Sequence, residues 1–447
     1  MKNGLYIFSV LFFLIQVNSE LFAQFNLTAY QLNKTLPQAN VINPGFIPDS
    51  KVVVGLPAIS GIYASGSVPA RLSSFIDHTV DDSLQIDLDK FVNKLGKKND
   101  FSINAQASLI YVGVRINKGY LSFNARSLNS ANLTFPKELV ELAIYGNGVE
   151  SLIGEDIDLS SLRSRNTSFI SVGVGYAQSF LDDKLTVGMR LSYIKGILSA
   201  ETEKGSEITL RTNEQDYSIY MATDNLTANI SGSALFSDSI DSPVDYILNS
   251  KNRGFGFDIG GIYKINDQLS ISGAITDLGN ISWKTDVVNY NINDSSYTYS
   301  GFDLENMDNF GDDILDTLEV IFDPTETENS YSTGLLTKFY AGAHYQFGRI
   351  QSVDAVLQGV IIKGRIRSAI SLSYGIKLTR VLNARISYSV IDGGGTNLGL
   401  GFTANAGFFQ LFAVSDNLIG LISPQYATYT NVRLGLNLTF GRKSLRQ

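Results

Sequence analysis

The sequence predicts an all-β fold: an antiparallel transmembrane β-barrel of about 14–16 strands, with a short N-terminal segment and long extracellular loops. Three features carry that expectation. Segments of roughly 9–11 residues alternate apolar with small or polar side chains, the length of a tilted strand crossing a bilayer. Asn/Asp/Gly-rich turns such as INKG (116–119), LDDK (181–184) and IND (265–267) separate many of them. The last such segment, NVRLGLNLTF (431–440), closes on an aromatic residue just before the C-terminus.

The alternation is regular. In LTVGMRLSY, Leu185, Val187, Met189, Leu191 and Tyr193 oppose Thr186, Gly188, Arg190 and Ser192. In AISLSYGIKL, Ile370, Leu372, Tyr374, Ile376 and Leu378 oppose Ser371, Ser373, Gly375 and Lys377. A soluble β-sandwich also alternates. Here the polar set is unusually small and includes arginines, while aromatics (Tyr193, Tyr263, Tyr345, Phe347, Phe440) gather toward strand ends, as interface girdles do. Lipid offers backbone groups no hydrogen bonds, so only a closed sheet can span it as β-structure. Lipid is therefore expected on the leucine side of 431–440 and a polar lumen on the asparagine side. Leu436→Arg should then be damaging and Asn437→Ala mild.

In chain order, MKNGLYIFSVLFFLIQ joins an early Lys2 to an apolar stretch, and LFA-QF follows. That layout predicts a secretory signal peptide over 1–23, cleaved after Ala23, with cleavage after Ser19 the alternative. Residues 24–50 form a periplasmic or lumen-inserted segment, containing the turn-prone NPGFIP (43–48). At about 25 residues it reads as short for a large gating plug. Residues 51–440 form the barrel, with ragged alternation at 51–69 and 205–233. PKELVELAIYG (136–146) predicts a short helix in a loop or the lumen. Residues 300–330 are an acidic extracellular insertion, with Phe310, Ile314, Leu315, Leu318 and Ile321 spaced for a capping helix. Residues 441–447 are a periplasmic tail. Counting strands back from Phe440 puts turns near 405–407, 379–382, 347–351, 265–267 and 181–183 on the periplasmic side. The connections at 196–204, 234–252 and 280–333 fall outside.

Composition narrows the function. A formal net charge of −8 argues against nucleic acid as a partner. Zero cysteines exclude disulfides, thiolate metal sites and a lipid anchor on cysteine. The two histidines are His78 and His344; the latter falls on the lumen face and reads as a satisfied lumen histidine, with no GxSxG nucleophile beside it. GFGFDIGG (254–261) and GGGTNLGLG (393–401) lack the Walker lysine and the GxGxxG spacing, so they read as glycines relieving a curved sheet. No enzyme activity and no cofactor are expected. The acidic insertion is the one candidate for Ca²⁺, though it lacks EF-hand spacing. The lumen arginines Arg115, Arg126, Arg190, Arg385 and Arg433 either greet an anionic ligand or pair with carboxylates such as Asp258 and Asp354.

NPGFIP, DLGNISW (277–283) and GFFQLFAVSDNLIGLISPQYATYTNVRLGLNLTFG resemble outer-membrane barrels of the Bacteroidota, including an uncharacterised family and the PorP/SprF type. More distantly, the whole resembles the FadL-like long-chain fatty-acid transporter superfamily. The first resemblance implies a role in type IX secretion or gliding, the second uptake of hydrophobic molecules. The expectation is thus a non-enzymatic outer-membrane barrel, contacting membrane lipid and envelope or secretion-system proteins. Its role is structural or in assembly; the alternative is a FadL-like transporter of hydrophobic or anionic small molecules.

Overall fold

The computed structural model describes residues 25–442, apart from 79–83, 151, 204, 237–239, 241, 293–294, 300–323, 363–364, 380 and 393–394. The signal peptide and the core of the acidic insertion, with its expected helix and cation site, lie outside the described residues.

Fourteen strands form the wall. The first seven are β1 (Val52–Gly55 and Ile62–Ser67), β2 (Lys98–Ile116), β3 (Gly119–Pro136), β4 (Arg163–Phe180), β5 (Leu185–Thr202), β6 (Arg253–Lys264) and β7 (Leu269–Trp283). The rest are β8 (Lys338–Phe347), β9 (Gln351–Ile362), β10 (Arg365–Lys377), β11 (Leu382–Ile391), β12 (Gly395–Ala406), β13 (Phe409–Ser415) and β14 (Tyr429–Phe440). Each pairs antiparallel with the next. β14 returns to β1 through Val52↔Phe440 and Ile62↔Leu434, which leaves no free edge.

Burial is inverted relative to a water-soluble protein. In β5, Leu191 is 65% exposed while its neighbour Arg190 is 1% exposed. In β10, Ile370, Leu372 and Tyr374 are exposed, whereas Ser371 and Ser373 are buried. An outer face of leucine, isoleucine and tyrosine around a polar interior is stable only with lipid outside. The girdles are present as well. Tyr345 and Phe347 pack edge-on at 4.7 Å and Phe408 stacks on Phe440 at 6.0 Å near the short turns. Tyr193 meets Phe255 at 5.9 Å toward the other end.

The turns at one end are tight, and several need left-handed backbone: Asn117 (φ 53°), Asp182 (φ 52°) and Asp183 (φ 65°). Asn and Asp tolerate that region better than other side chains, so the turn chemistry read from the sequence fixes the hairpins. The longest connections gather at the opposite end. There α3 (Lys137–Tyr145) starts after Pro136 and stops at Gly146, whose φ of 77° ends it. Leu139 and Leu142 on α3 pack against Leu152, Ile157 and Leu210. A four-stranded sheet of Asp156–Asp158, Glu207–Thr212, Ile219–Asp224 and Ser295–Tyr299 completes this folded head. Tyr145 Oη donates to Asp89 Oδ1 at 2.5 Å, and that carboxylate pushes the phenol up to about 12.

Both ragged stretches have a structural cause. In β1, Pro57 has no N–H to give the ladder, so 56–61 bulges between the two halves. The wall stays bonded across the bulge: Ala58 N donates to Ser108 O at 3.0 Å and Leu436 N to Ile59 O at 2.9 Å. Residues 205–233 alternate poorly because much of this stretch belongs to the head, and only Leu226–Ser231 extends the wall along β5.

Candidate functional site

The N-terminal segment is inside the barrel. Its short helices α1 (Leu27–Gln31) and α2 (Ala39–Ile42), with the turns around them, carry Phe25, Leu27, Tyr30, Leu32, Leu36, Ile42 and Phe46 into an apolar cluster. Wall residues Tyr340, Val356, Phe412 and Tyr429 complete that cluster. Tyr30 stacks on Tyr340 at 5.1 Å, and Phe25 meets Tyr429 edge-on at 6.3 Å. Though short, the segment plugs the lumen, because its turns fold it back on itself and put apolar side chains where an extended strand would leave space.

Polar contacts hold the plug along its length. Asn26 N donates to Gln358 Oε1 at 2.9 Å, Thr28 N to Asp416 Oδ1 at 2.7 Å, and Gln38 Nε2 to Ser60 O at 2.6 Å. Wall groups reach in too: Tyr111 Oη donates to Pro37 O at 3.2 Å and Gln410 Nε2 to Thr35 O at 2.8 Å. A turn-rich segment has many backbone groups without local partners, and here the wall satisfies them.

The three stretches that carried the family resemblance are parts of this arrangement. NPGFIP is the foot of the plug. Asn43 Nδ2 donates to Gly273 O at 3.2 Å, and Gly45 lies so close to the β6 backbone that a Cβ on it would stand 2.6 Å from Gly261 Cα. A Cβ on Gly188 would overlap the Pro44 carbonyl. In SDN, Asp416 receives α1 while Asn431 Nδ2 donates to Asp416 Oδ2 at 2.8 Å. In DLGN, Asp277 has φ 58° at an irregularity between β6 and β7, which turns its carboxylate to Lys338 Nζ at 2.6 Å. The reading of the glycine runs as curvature relief is therefore incomplete. Gly188 and Gly260 are bare where Pro44 and Asn43 of the plug lie, and Gly401 faces Leu32 and Thr28 of the plug.

The five candidate arginines separate. Arg115 donates to Pro48 O. Arg190 bridges Val41 O at 2.9 Å, Asn40 O and Asp258 Oδ2 at 2.8 Å. Arg433 donates to Asn26 Oδ1 at 2.7 Å and lies 4.6 Å over the Tyr63 ring. Arg385 pairs with Asp354 and donates to Ser373 Oγ at 2.8 Å and Ser352 Oγ at 3.0 Å. Three therefore hold the plug and one a wall carboxylate. Arg126 is buried and makes no hydrogen bond or ion pair with any described residue.

His344 differs from its expected satisfied state. Nδ1 lies 2.7 Å from Asp354 Oδ1, but Nε2 is buried with no partner among the described residues. Gln38 is a member of this site that the sequence reading missed; Asn437 was read as lumen-facing from the alternation, but not as a partner of the plug.

Above the plug, Leu128, Ser130, Asn132, Thr167, Phe169, Leu335, Leu336, Asp277 and Lys338 surround a chamber of about 30 Å³. Arg165 separates it from a vestibule of about 500 Å³ among the loops, donating to Gly334 O with Nε 3.8 Å from Glu201.

The profile described as "Family of unknown function (DUF5723)" matches residues 44–416, most of the chain. No curated protein matches. Solved structures of similar fold include the Pseudomonas putida toluene transporter TodX, 11% identical, with TM-score 0.41 over 90% of this chain and 92% of that one. The Ralstonia pickettii toluene transporter TbuX is 10% identical, with TM-score 0.43 over 91% and 94%. A Pseudomonas aeruginosa FadL homologue is 10% identical, with TM-score 0.44 over 91% and 94%. Likeness at this level says nothing of a ligand.

Proposed function

The chain belongs to this family of unknown function, and we propose that it is a sealed, non-enzymatic outer-membrane barrel with a structural or assembly role in the cell envelope. One observation carries the reading: the lumen is filled by the chain's own N-terminal segment, pinned from Asn26 to Pro48 by wall side chains. Such a barrel offers a wall and a head rather than a pore. The outward leucines, the aromatic girdles and the short-turn and long-loop ends support the outer membrane as its place. The head built on α3 is the surface offered to a secretion, gliding or adhesion partner, and the acidic insertion at 300–330 is where Ca²⁺ would act.

Planar-bilayer recording tests the reading. The intact barrel should show no steady conductance, and deletion of 25–50 should open one. Steady conductance of the intact protein would overturn it. Pull-down from detergent extracts, with mass spectrometry, should return envelope proteins. A second reading, uptake of a hydrophobic or anionic small molecule, is favoured by the chamber above the plug; a lipid recovered in place of proteins would select it.

A further inference from the structure

The short-turn end of the barrel is basic in an acidic chain. Among the described residues its rim carries Lys51, Lys118, Lys184, Lys264, Arg349 and Arg442, against Asp49, Asp182, Asp183 and Asp267. The chain as a whole carries −8, so its excess of acid lies elsewhere. Lys34 of the plug and Lys377 of β10 add two cations inside the rim. Lys377 continues the inward series Ser371, Ser373 and Gly375. With Gln31, Lys34, His344 and Arg385 it lines a cavity of about 50 Å³ between plug and wall. Neither lysine makes a side-chain hydrogen bond or ion pair with a described residue. Asp354, the acid beside this cavity, is already taken by Arg385 and by His344 Nδ1 at 2.7 Å. Asp49 gives its backbone N–H to Lys34 O at 3.1 Å but makes no ion pair with the ammonium.

Three of the residues lining the cavity each hold a buried polar atom without a partner among the described residues: Gln31 Oε1, His344 Nε2 and Arg385 Nε. Their needs differ. Arg385 Nε–H requires an acceptor. Gln31 Oε1 requires a donor, and so does His344 Nε2 once Nδ1 gives its proton to Asp354. A phosphate or a halide offers acceptors alone. An acidic peptide offers carboxylates to the cations and backbone N–H groups to the acceptors. Water would satisfy the three atoms too, but leaves the surplus charge of the rim unmatched. The cavity has room for one side-chain tip. Phospholipid headgroups stand outside the ring of strands, whereas Lys34 and Lys377 lie within it.

We propose that the short-turn mouth is a docking site for an extended acidic peptide segment of a periplasmic partner, with one carboxylate side chain seated between Lys34 and Lys377. Long-range attraction to the basic rim brings the segment in, and the cavity fixes its register. This surface is separate from the head at the other end. It rests on the assembly reading, whose own failure is seen as steady conductance; a barrel that conducts and still binds the peptide would remove the seal and keep the dock.

The test is fluorescence anisotropy with the full mature barrel in phosphatidylcholine nanodiscs, at about 0.15 M salt, where charges more than ~8 Å apart are largely screened. The probe is a fluorescein-labelled decapeptide rich in Asp and Glu, blocked at both ends, with its Asn/Gln version as control. The acidic peptide should bind saturably, one per barrel, and the control should not. Lys34→Glu/Lys377→Glu should weaken binding by about tenfold or more, and Lys34→Gln or Lys377→Gln alone by less. Lys118→Glu/Arg349→Glu makes the same charge change on turns that do not line the cavity, and should leave binding within about twofold. None of these side chains is buried, and the heat-modifiable folded band reports assembly of each variant. The proposal fails if the two double variants lose binding equally, or if neither peptide binds. It fails if inorganic phosphate at equal ionic strength displaces the probe as well as unlabelled peptide does. It also fails if phosphatidylglycerol in the nanodisc abolishes binding, since lipid headgroups then hold the mouth.

Discussion

Gln38 and Asn437 form a reciprocal amide pair across 399 residues of chain: Gln38 Nε2 donates to Asn437 Oδ1 at 2.7 Å, and Asn437 Nδ2 donates to Gln38 Oε1 at 3.1 Å. One side chain belongs to the plug, the other to the strand that closes the barrel. Asn437 is fully buried. The expectation that a lumen-facing Asn437→Ala is mild therefore gives way to a different one. The variant leaves the Gln38 carbonyl, and a Gln410 carbonyl 3.3 Å from Asn437 Nδ2, without that donor. A cost of about 1–3 kcal/mol is expected for a buried polar group left unmade. Thermal unfolding of Gln38→Ala, Asn437→Ala and the double variant measures it, with the double less destabilised than the sum of the singles.

Leu436, one residue away, faces the opposite medium. Leu436→Arg puts a charge against lipid, at a cost of about 2–4 kcal/mol near mid-bilayer. The heat-modifiable folded band on an SDS gel should be weakened or lost. Unchanged assembly would mean the faces are assigned wrongly.

Gly188→Val introduces a side chain where the Pro44 carbonyl lies. The strand pairing of β5 does not need Gly188 to be bare, so the barrel should still assemble while the foot of the plug is displaced. The expected readout is bursts of conductance approaching those of a chain lacking 25–50. A silent, fully assembled Gly188→Val barrel would show that the contact does not hold the plug.

Arg385→Ala leaves Asp354 buried without its guanidinium, with His344 as the remaining ring partner. Breaking one side of a buried pair costs about 3–5 kcal/mol, and removing both charges costs much less. Arg385→Ala/Asp354→Ala should accordingly recover most of the folded yield lost in Arg385→Ala. Equal losses in the single and double variants would contradict the pairing.

The absence of cysteine makes topology directly readable. Tyr217→Cys, exposed in the head, should react with a membrane-impermeant maleimide on intact cells. Asp183→Cys, in the β4–β5 turn, should react only after the outer membrane is permeabilised. The reverse pattern would invert the barrel and move the head away from any external partner.

The sequence determined the wall. A period of two, with leucine, isoleucine and tyrosine opposite serine, asparagine and arginine, has one low-energy arrangement in a bilayer, so the strands outside the ragged stretches 51–69 and 205–233, their facing and the end bearing the short turns were legible. Local chemistry also marked α3 through Pro136 and Gly146. The plug was not legible, because its residues follow no period and its partners lie far along the chain: Asn43 meets Gly273, Asn26 meets Gln358, Arg433 reaches back to Asn26. Nor could the sequence say which glycines are bare for a neighbour's backbone, or that Asp277 turns inward at an irregular step. The same holds for the arginines. Five inward guanidiniums look alike as residues on strands. Only closure of the barrel around its own N-terminus gives four of them partners and leaves Arg126 without one among the described residues, because hydrogen bonding in the interior depends on positions within a few ångströms rather than on residue type.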